Sequence, residues 1–185
     1  MIKRKLTNTE FRFMQIFMKF ADHIHPHVRM RVEMFGIKPG QTVVDYGCGP
    51  GRYTVEMARL VGTDGKVIAV DLVDIALQET QRKLEVDGFH NFDLKLAQGY
   101  DSGVADYVAD IVFAIDMFHH IADTNAFLRE VSRIAKPDGL LILSGGHLTR
   151  NTVKAKIAAS GIWDIAEERK KFIAYKKREG FCACQ

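Results

Sequence analysis

The sequence predicts an α/β protein, an open doubly wound sheet whose strands are largely parallel. From about residue 42 to residue 160, short apolar β-type runs alternate with segments of helical period. A glycine-rich turn in "TVVDYGCGPGRYTVEMA", Thr42 to Ala58, joins the first run to the helix after it, and the second run, "KVIAVD", ends on an acid, Asp71. The 185 residues, 47% of them hydrophobic, can bury one sizeable core and fit one domain better than two.

The elements follow in order. Some 38 residues with two helical stretches, roughly Thr9–Ala21 and Pro26–Phe35, come first and close with the turn "GIKPG". Strands are expected at Thr42–Asp45, Lys66–Asp71, Phe92–Ala97, Asp110–Ile115 and Leu140–Ser144. Between them, "RYTVEMARLVG" reads as a helix ending at Gly62 and "DIALQETQRKLEVDG" as one ending near Gly88. "TNAFLREVSRIAKPDG" reads as a third, stopped by Pro137 and Gly139. A last helix, about Thr149–Ala159, precedes "WDIAEERKKFIAYKKR", two β-like runs around a charged turn that read as a closing hairpin. Right-handed crossovers are expected throughout.

Several function classes are disfavoured at once. The charge balance, 26 basic against 23 acidic residues for a net of +3, is too small to imply a nucleic-acid partner without a concentrated patch. The basic N-terminus lacks the apolar core and cleavage site of a secretory signal, and no run of about 18 apolar residues could span a membrane, so a cytoplasmic protein is expected. Cys48, Cys182 and Cys184 are too few for a disulfide framework, and the "CACQ" tail reads as exposed, incidental thiols. His23, His25 and His27 alternate and would point to one side of an extended segment. Pro26 at a helix start separates them instead, so no metal site is expected.

The glycine-rich turn reads as a small-molecule seat. It lies at the carboxyl end of a strand, where ligands of open α/β sheets bind, and residues without Cβ let backbone approach a ligand closely. The spacing is Gly47-x-Gly49-x-Gly51, with Arg52 where a dinucleotide fingerprint would place its third glycine. A ligand without a pyrophosphate fits better. Asp71, some twenty residues later, can accept hydrogen bonds from two ribose hydroxyls, so a nucleoside ligand is implied.

"VVDYGCGPG", "GKVIAVD", "DIVFAIDMFHHIAD" and "LREVSRIAKPDGLLILS", in that order, resemble the class I S-adenosylmethionine-dependent methyltransferases, and most of all the methyltransferase type 11 group related to the ubiquinone and menaquinone C-methyltransferases. The resemblance implies a Rossmann-like, seven-stranded sheet with its last strand antiparallel. It divides the single domain, 1–185, into an N-terminal helical lid (1–36), a core (37–178) and a tail (179–185). It implies S-adenosyl-L-methionine as cofactor, with Gly47, Gly49 and Gly51 lining its methionine end, Cys48 within that loop, and Asp45 near its amino group. Asp71 would hold the ribose hydroxyls and Leu72 would pack on the adenine. Gln98, with Gly99 beside it, stands where the family commonly has an Asp reading the adenine amino group, and the loop "GYDSGVADYVAD" is one or two residues longer than expected. Asp116, Met117 and His120 would flank the sulfonium and the incoming nucleophile.

The implied reaction is methyl transfer to a small-molecule acceptor. His119, His120 and His147 are the candidates for a general base, needed only where the acceptor must lose a proton. The run Phe11, Phe13, Met14, Ile16, Phe17, Met18 and Phe20 would be core, cover an apolar or aromatic acceptor, or pair two subunits as a homodimer. Two alternatives stand beside this reading. One is a nicotinamide oxidoreductase, disfavoured by the glycine spacing, and the other a non-catalytic cofactor- or partner-binding protein on the same fold.

Overall fold

The computed structural model describes residues 27–180. The elements in chain order are α1 (His27–Glu33), β1 (Thr42–Tyr46), α2 (Thr54–Val61), β2 (Lys66–Asp71), α3 (Asp74–Val86), β3 (Phe92–Leu96), β4 (Ala109–Ala114), a 3-10 turn (Phe118–His120), α4 (Thr124–Ile134), β5 (Ala135–Leu143), α5 (Arg150–Ser160), β6 (Trp163–Glu168) and β7 (Ile173–Lys177). The expected helix at Thr9–Ala21, with His23, His25, Cys182 and Cys184, lies outside the described residues.

One seven-stranded sheet has the order β3-β2-β1-β4-β5-β7-β6. The pairs β1–β2, β1–β4, β2–β3 and β4–β5 are parallel, whereas β7 is antiparallel to both β5 and β6. The last strand therefore runs against the other six. Strand order reverses between β1 and β4, and in open sheets ligands bind outside the carboxyl ends of the strands at that reversal.

The central strands are apolar on both faces because helices cover both. Val43, Val67, Ile111, Phe113 and Ile142 face α1 and α2 through Val32, Phe35, Met57 and Val61. Their neighbours Val44, Ile68, Val112 and Leu141 face α4 and α5 through Phe127, Leu128, Val131 and Ile157. The Phe35 ring, just after α1, lies 5.2 Å from that of Phe113 and 5.0 Å from that of Phe172, which fixes α1 to the sheet. Helix starts follow local chemistry: Asp123 accepts from the Ala126 N–H at α4, and Thr149 accepts from the Thr152 N–H at α5.

Most boundaries fall within one or two residues of expectation, and the α4–β5 junction departs furthest. The α4 helix ends at Ile134, before Pro137 and Gly139, and β5 begins at once with Ala135. Proline disfavours the helical region for the residue before it, so Lys136 turns extended and the chain leaves the helix earlier. The β4–β5 pairing then skips from Ala109↔Ala135 to Ile111↔Leu140, and the residues between bulge out. A Cβ on Gly139 would sit 2.8 Å from the Ala109 carbonyl oxygen, so only glycine fits that bulge. In the closing hairpin β7 inserts beside β5, and the buried Trp163 at the start of β6 donates its indole N–H to the Leu128 carbonyl at 3.3 Å.

Phe113 is fully buried in a central strand against Phe35. Phe113→Ala is expected to cost about 3–5 kcal/mol, read from the urea unfolding midpoint.

Candidate functional site

The carboxyl end of β1 runs into a loop whose three glycines have positive φ, 78° at Gly47, 54° at Gly49 and 74° at Gly51. Each is glycine for a different reason. A Cβ at Gly47 would lie 3.0 Å from Met117 Cγ, and one at Gly51 would lie 2.8 Å from Thr80 Oγ1 and 3.1 Å from the Thr80 Cα. Among the described residues a Cβ at Gly49 would meet nothing within 4 Å, so its outer face is open to a ligand that touches bare backbone. The Gly47 and Cys48 N–H groups both donate to the Val70 carbonyl, at 2.8 and 3.0 Å, and tie the loop to the end of β2.

Asp71 ends β2 and clasps the loop. Its Oδ2 accepts the Gly49 N–H at 2.8 Å and its Oδ1 accepts the Val73 N–H at 2.9 Å. A carboxylate accepts about four hydrogen bonds in all, so a group aimed this way can also receive two hydroxyl donors. Leu72, half-buried, packs on the core beside it. Gln98 and Gly99 are exposed beyond β3, and Gln98 pairs with Asp101 through N–H to carbonyl bonds of 2.9 and 3.2 Å. Ser102 anchors this tight turn to Glu130 of α4 with both its N–H and its hydroxyl.

Two predicted residues lie inward. The Cys48 side chain is buried and faces the Thr80 hydroxyl at 3.9 Å, so only its backbone belongs to the loop's outer surface. Burial pushes its thiol well up, and the charges of Asp71 and Asp45 add to this. Asp45 is 2% exposed and accepts the Thr54 hydroxyl at 2.6 Å. Burial raises its carboxyl to about 6, opposed by the Thr54 hydrogen bond and reinforced by the charge of Asp71.

Beyond β4, Asp116 takes φ 56°, a left-handed conformation unusual for a non-glycine residue and worth about 1–3 kcal/mol of strain. Ser144, at the end of β5, holds it there: the Asp116 N–H donates to Ser144 Oγ and the Ser144 hydroxyl donates to Asp116 Oδ1, both at 2.8 Å. Arg31 of α1 donates to Oδ2 at 3.1 Å, and the Tyr53 hydroxyl donates to the same oxygen at 3.0 Å. Burial alone would raise the Asp116 carboxyl, but the Arg31 charge and the hydrogen bonds from Arg31, Ser144 and Tyr53 outweigh it and hold the group below the usual carboxylate range. Met117, next in sequence, packs under Gly47.

The three histidines converge. The His119 ring centroid lies 3.9 Å from that of His120 and 4.8 Å from that of His147, with His119 half-buried and the other two exposed. Gly146 has φ 59°, and only a glycine there leaves room for the His119 ring. Among the described residues no group of three or more His, Cys, Asp or Glu side chains is placed to hold a metal, and no helix is long and apolar enough to cross a membrane.

Sequence reasoning missed three partners of Asp116. Tyr53 stands in the "GRYT" segment after the glycines and Ser144 closes the fifth strand, so both had a positional signal. Arg31 had none, because it reaches Asp116 from 85 residues away.

Residues 37–175 match the family described as methyltransferase domain. Over 129 residues the chain is 29% identical to the ubiquinone/menaquinone biosynthesis C-methyltransferase of Teredinibacter turnerae, an alignment covering 69% of this chain and 52% of that relative. The chain spans about half the length of the curated relatives it matches. An S-adenosylmethionine-dependent methyltransferase structure from Aquifex aeolicus superposes with a TM-score of 0.73 at 21% identity, covering 92% of this chain and 97% of that one. A phosphoethanolamine N-methyltransferase of Haemonchus contortus, solved with phosphomonomethylethanolamine and S-adenosylhomocysteine, gives a TM-score of 0.63 at 20% identity over 77% of this chain and 38% of that one. At these identities the two structures show a shared fold.

The raised Asp45 carboxyl makes stability depend on pH. The folded state keeps this proton to a higher pH than the unfolded chain, so the contribution is full below about pH 4 and is lost as pH rises through about 6. Asp45→Asn cannot ionise. Relative to wild type it is expected to gain about 2 kcal/mol between pH 4 and pH 7, read from urea unfolding at each pH.

Proposed function

The chain belongs to the methyltransferase-domain family, the class I S-adenosylmethionine-dependent enzymes, and on that premise we propose that it transfers the methyl group of S-adenosylmethionine to a small-molecule acceptor. The observation that carries this is the clasp of Asp71 on Gly49, which fixes a carboxylate at the rim of a glycine loop whose outer face is open.

The residues present suit a nucleoside bearing a cationic amino-acid tail. Asp71 receives the ribose hydroxyls, Leu72 meets one face of the adenine, and Gln98 with Gly99 stands at the adenine edge, where the Gln98 side-chain carbonyl accepts from the exocyclic amine. Gly47, Gly49 and Gly51 give the methionine end a backbone wall, with Asp45 behind it. Asp116 and Met117 flank the sulfonium, and Asp116 stays ionised as a fixed counter-charge because Arg31, Tyr53 and Ser144 hold it so.

When bound, S-adenosylmethionine supplies an activated methyl on a positively charged sulfur, which leaves orientation and electrostatics to the protein. Asp71, Asp116 and the glycine loop would hold the cofactor with that methyl carbon offered to the acceptor's lone pair, the sulfur keeping the electron pair of the bond it gives up. An acceptor that must also lose a proton has the imidazole cluster beside Asp116. His119 takes the proton at a ring nitrogen, and exposed His120 or His147 passes it to solvent. The quinone named for the Teredinibacter turnerae relative is one acceptor class, and that relative is matched over only 52% of its length.

Calorimetric titration with S-adenosylmethionine and S-adenosylhomocysteine tests this reading. Wild type is expected to bind both in the micromolar range. Asp71→Ala, losing charge-assisted hydrogen bonds, is expected to bind at least about tenfold more weakly with its circular dichroism unchanged. Absence of binding by folded wild type overturns the proposal.

A further inference from the structure

A cavity of about 250 Å³ opens beside Asp116 at the carboxyl edge of the sheet. Its polar lining is Asp116 and Ser144 with four cations, Arg31, Arg150, Lys170 and Lys171. Phe172, Leu143 and Val153 supply apolar wall. The sheet topology explains the cations. Because β7 is antiparallel to both its neighbours, β6 runs with β5, and the turn from β6 to β7 returns at the same edge as Asp71 and Asp116.

The charges in this cavity are not equally engaged. Arg31 is committed to Asp116 and to the Tyr53 hydroxyl. Arg150 pairs with Glu168 at 3.0 Å and donates to the carbonyls of Arg169 and Lys170, both at 2.6 Å, so it fastens the hairpin turn to the start of α5. Arg169 pairs with Glu167. Lys170 and Lys171, held on that fastened turn, have no acidic partner among the described residues. Lys170 and Lys171 thus line, together with Arg31 and Arg150, a cavity to which Asp116 contributes the single carboxylate among the described residues. Cations that line one cavity repel each other, and an anion entering the cavity would relieve that repulsion.

We propose that this cavity is the acceptor pocket and that Lys170 and Lys171 select an acceptor carrying an anionic group, a carboxylate or a phosphate. The proposal rests on the methyl-transfer reading and adds the substrate class. The anionic group sits against the hairpin turn, and the nucleophilic atom lies towards Asp116 and the histidines. Arg150 is a positioning residue that keeps the turn in place.

The test uses the full chain saturated with S-adenosylhomocysteine, and again without it, titrated with benzoate, phenyl phosphate and benzyl alcohol by ligand-observed NMR. At least one of the two anions is expected to bind at least about tenfold more tightly than the neutral alcohol, to weaken as salt rises, and by its rank against the other to identify the favoured anion. The double variant Lys170→Ala/Lys171→Ala changes only exposed side chains. It is expected to lose about tenfold in anion affinity and to keep its affinity for S-adenosylhomocysteine. Equal binding of benzyl alcohol and the anions, or anion binding that is absent or indifferent to the two lysines, overturns the pocket assignment. Failure of S-adenosylhomocysteine to bind wild type overturns the methyl-transfer reading instead, and the titrations without it separate the two failures.

Discussion

The candidate site depends on the fastening of the glycine loop to the end of β2. Two backbone N–H groups, of Gly47 and Cys48, converge on the single carbonyl of Val70, and the Asp71 carboxylate one residue later takes the Gly49 N–H. These bonds can form only if the chain leaves β1 through left-handed φ values, and glycine occupies all three positions that need them. The same geometry frees the outer side of Gly49 and aims Asp71 at it. A loop that merely joined a strand to a helix would have no need for a carboxylate held by two backbone N–H groups at its rim.

The fold and half of the site were legible because they are written locally. Alternating apolar runs predicted the strands, and the glycine spacing with Asp71 marked the loop that is tied to the end of β2. The α4–β5 boundary was misjudged because Pro137 acts through Lys136, one residue ahead of itself, so the helix stops earlier than the proline. Asp116 was legible as the residue after a strand, but its environment was not. Its partners come from α1, from the start of α2 and from the end of β5, and only the strand order β1-β4-β5 brings these together. Cys48 illustrates the reverse. It sits within the most informative stretch of the sequence, yet its side chain turns inward to Thr80, because consecutive residues of a tight loop cannot all face outward.

Asp116 also shows why a strained residue is kept. Its left-handed backbone is held by a reciprocal pair of hydrogen bonds with Ser144, and its carboxylate by Arg31 and Tyr53. Relaxing the backbone would turn the carboxylate away from all three. The strain is therefore local, while the interactions it permits tie α1 to the sheet edge. Through them the helix nearest the N-terminal segment senses the geometry of the strand ends, a coupling that core packing of Phe35 alone would not give.

Charge is sorted along the carboxyl edge by the strand order itself. Asp71, Asp45 and Asp116 belong to β2, β1 and the turn after β4, neighbours on one side of the sheet, whereas Arg150, Lys170 and Lys171 belong to the elements around β5, β7 and β6 on the other. Arg31 and Asp116 meet at the boundary and neutralise each other. Burial lifts the Asp45 carboxyl to about 6, the Asp71 charge adds to that rise, and a cationic ligand seated there would lower the cost of ionising it. The cations on the second side favour an anion in the same way. Two oppositely charged reactants would thus be drawn to adjoining halves of one edge and kept out of each other's place. On the methyl-transfer reading proposed above, that division would place the two molecules in order along the edge before transfer.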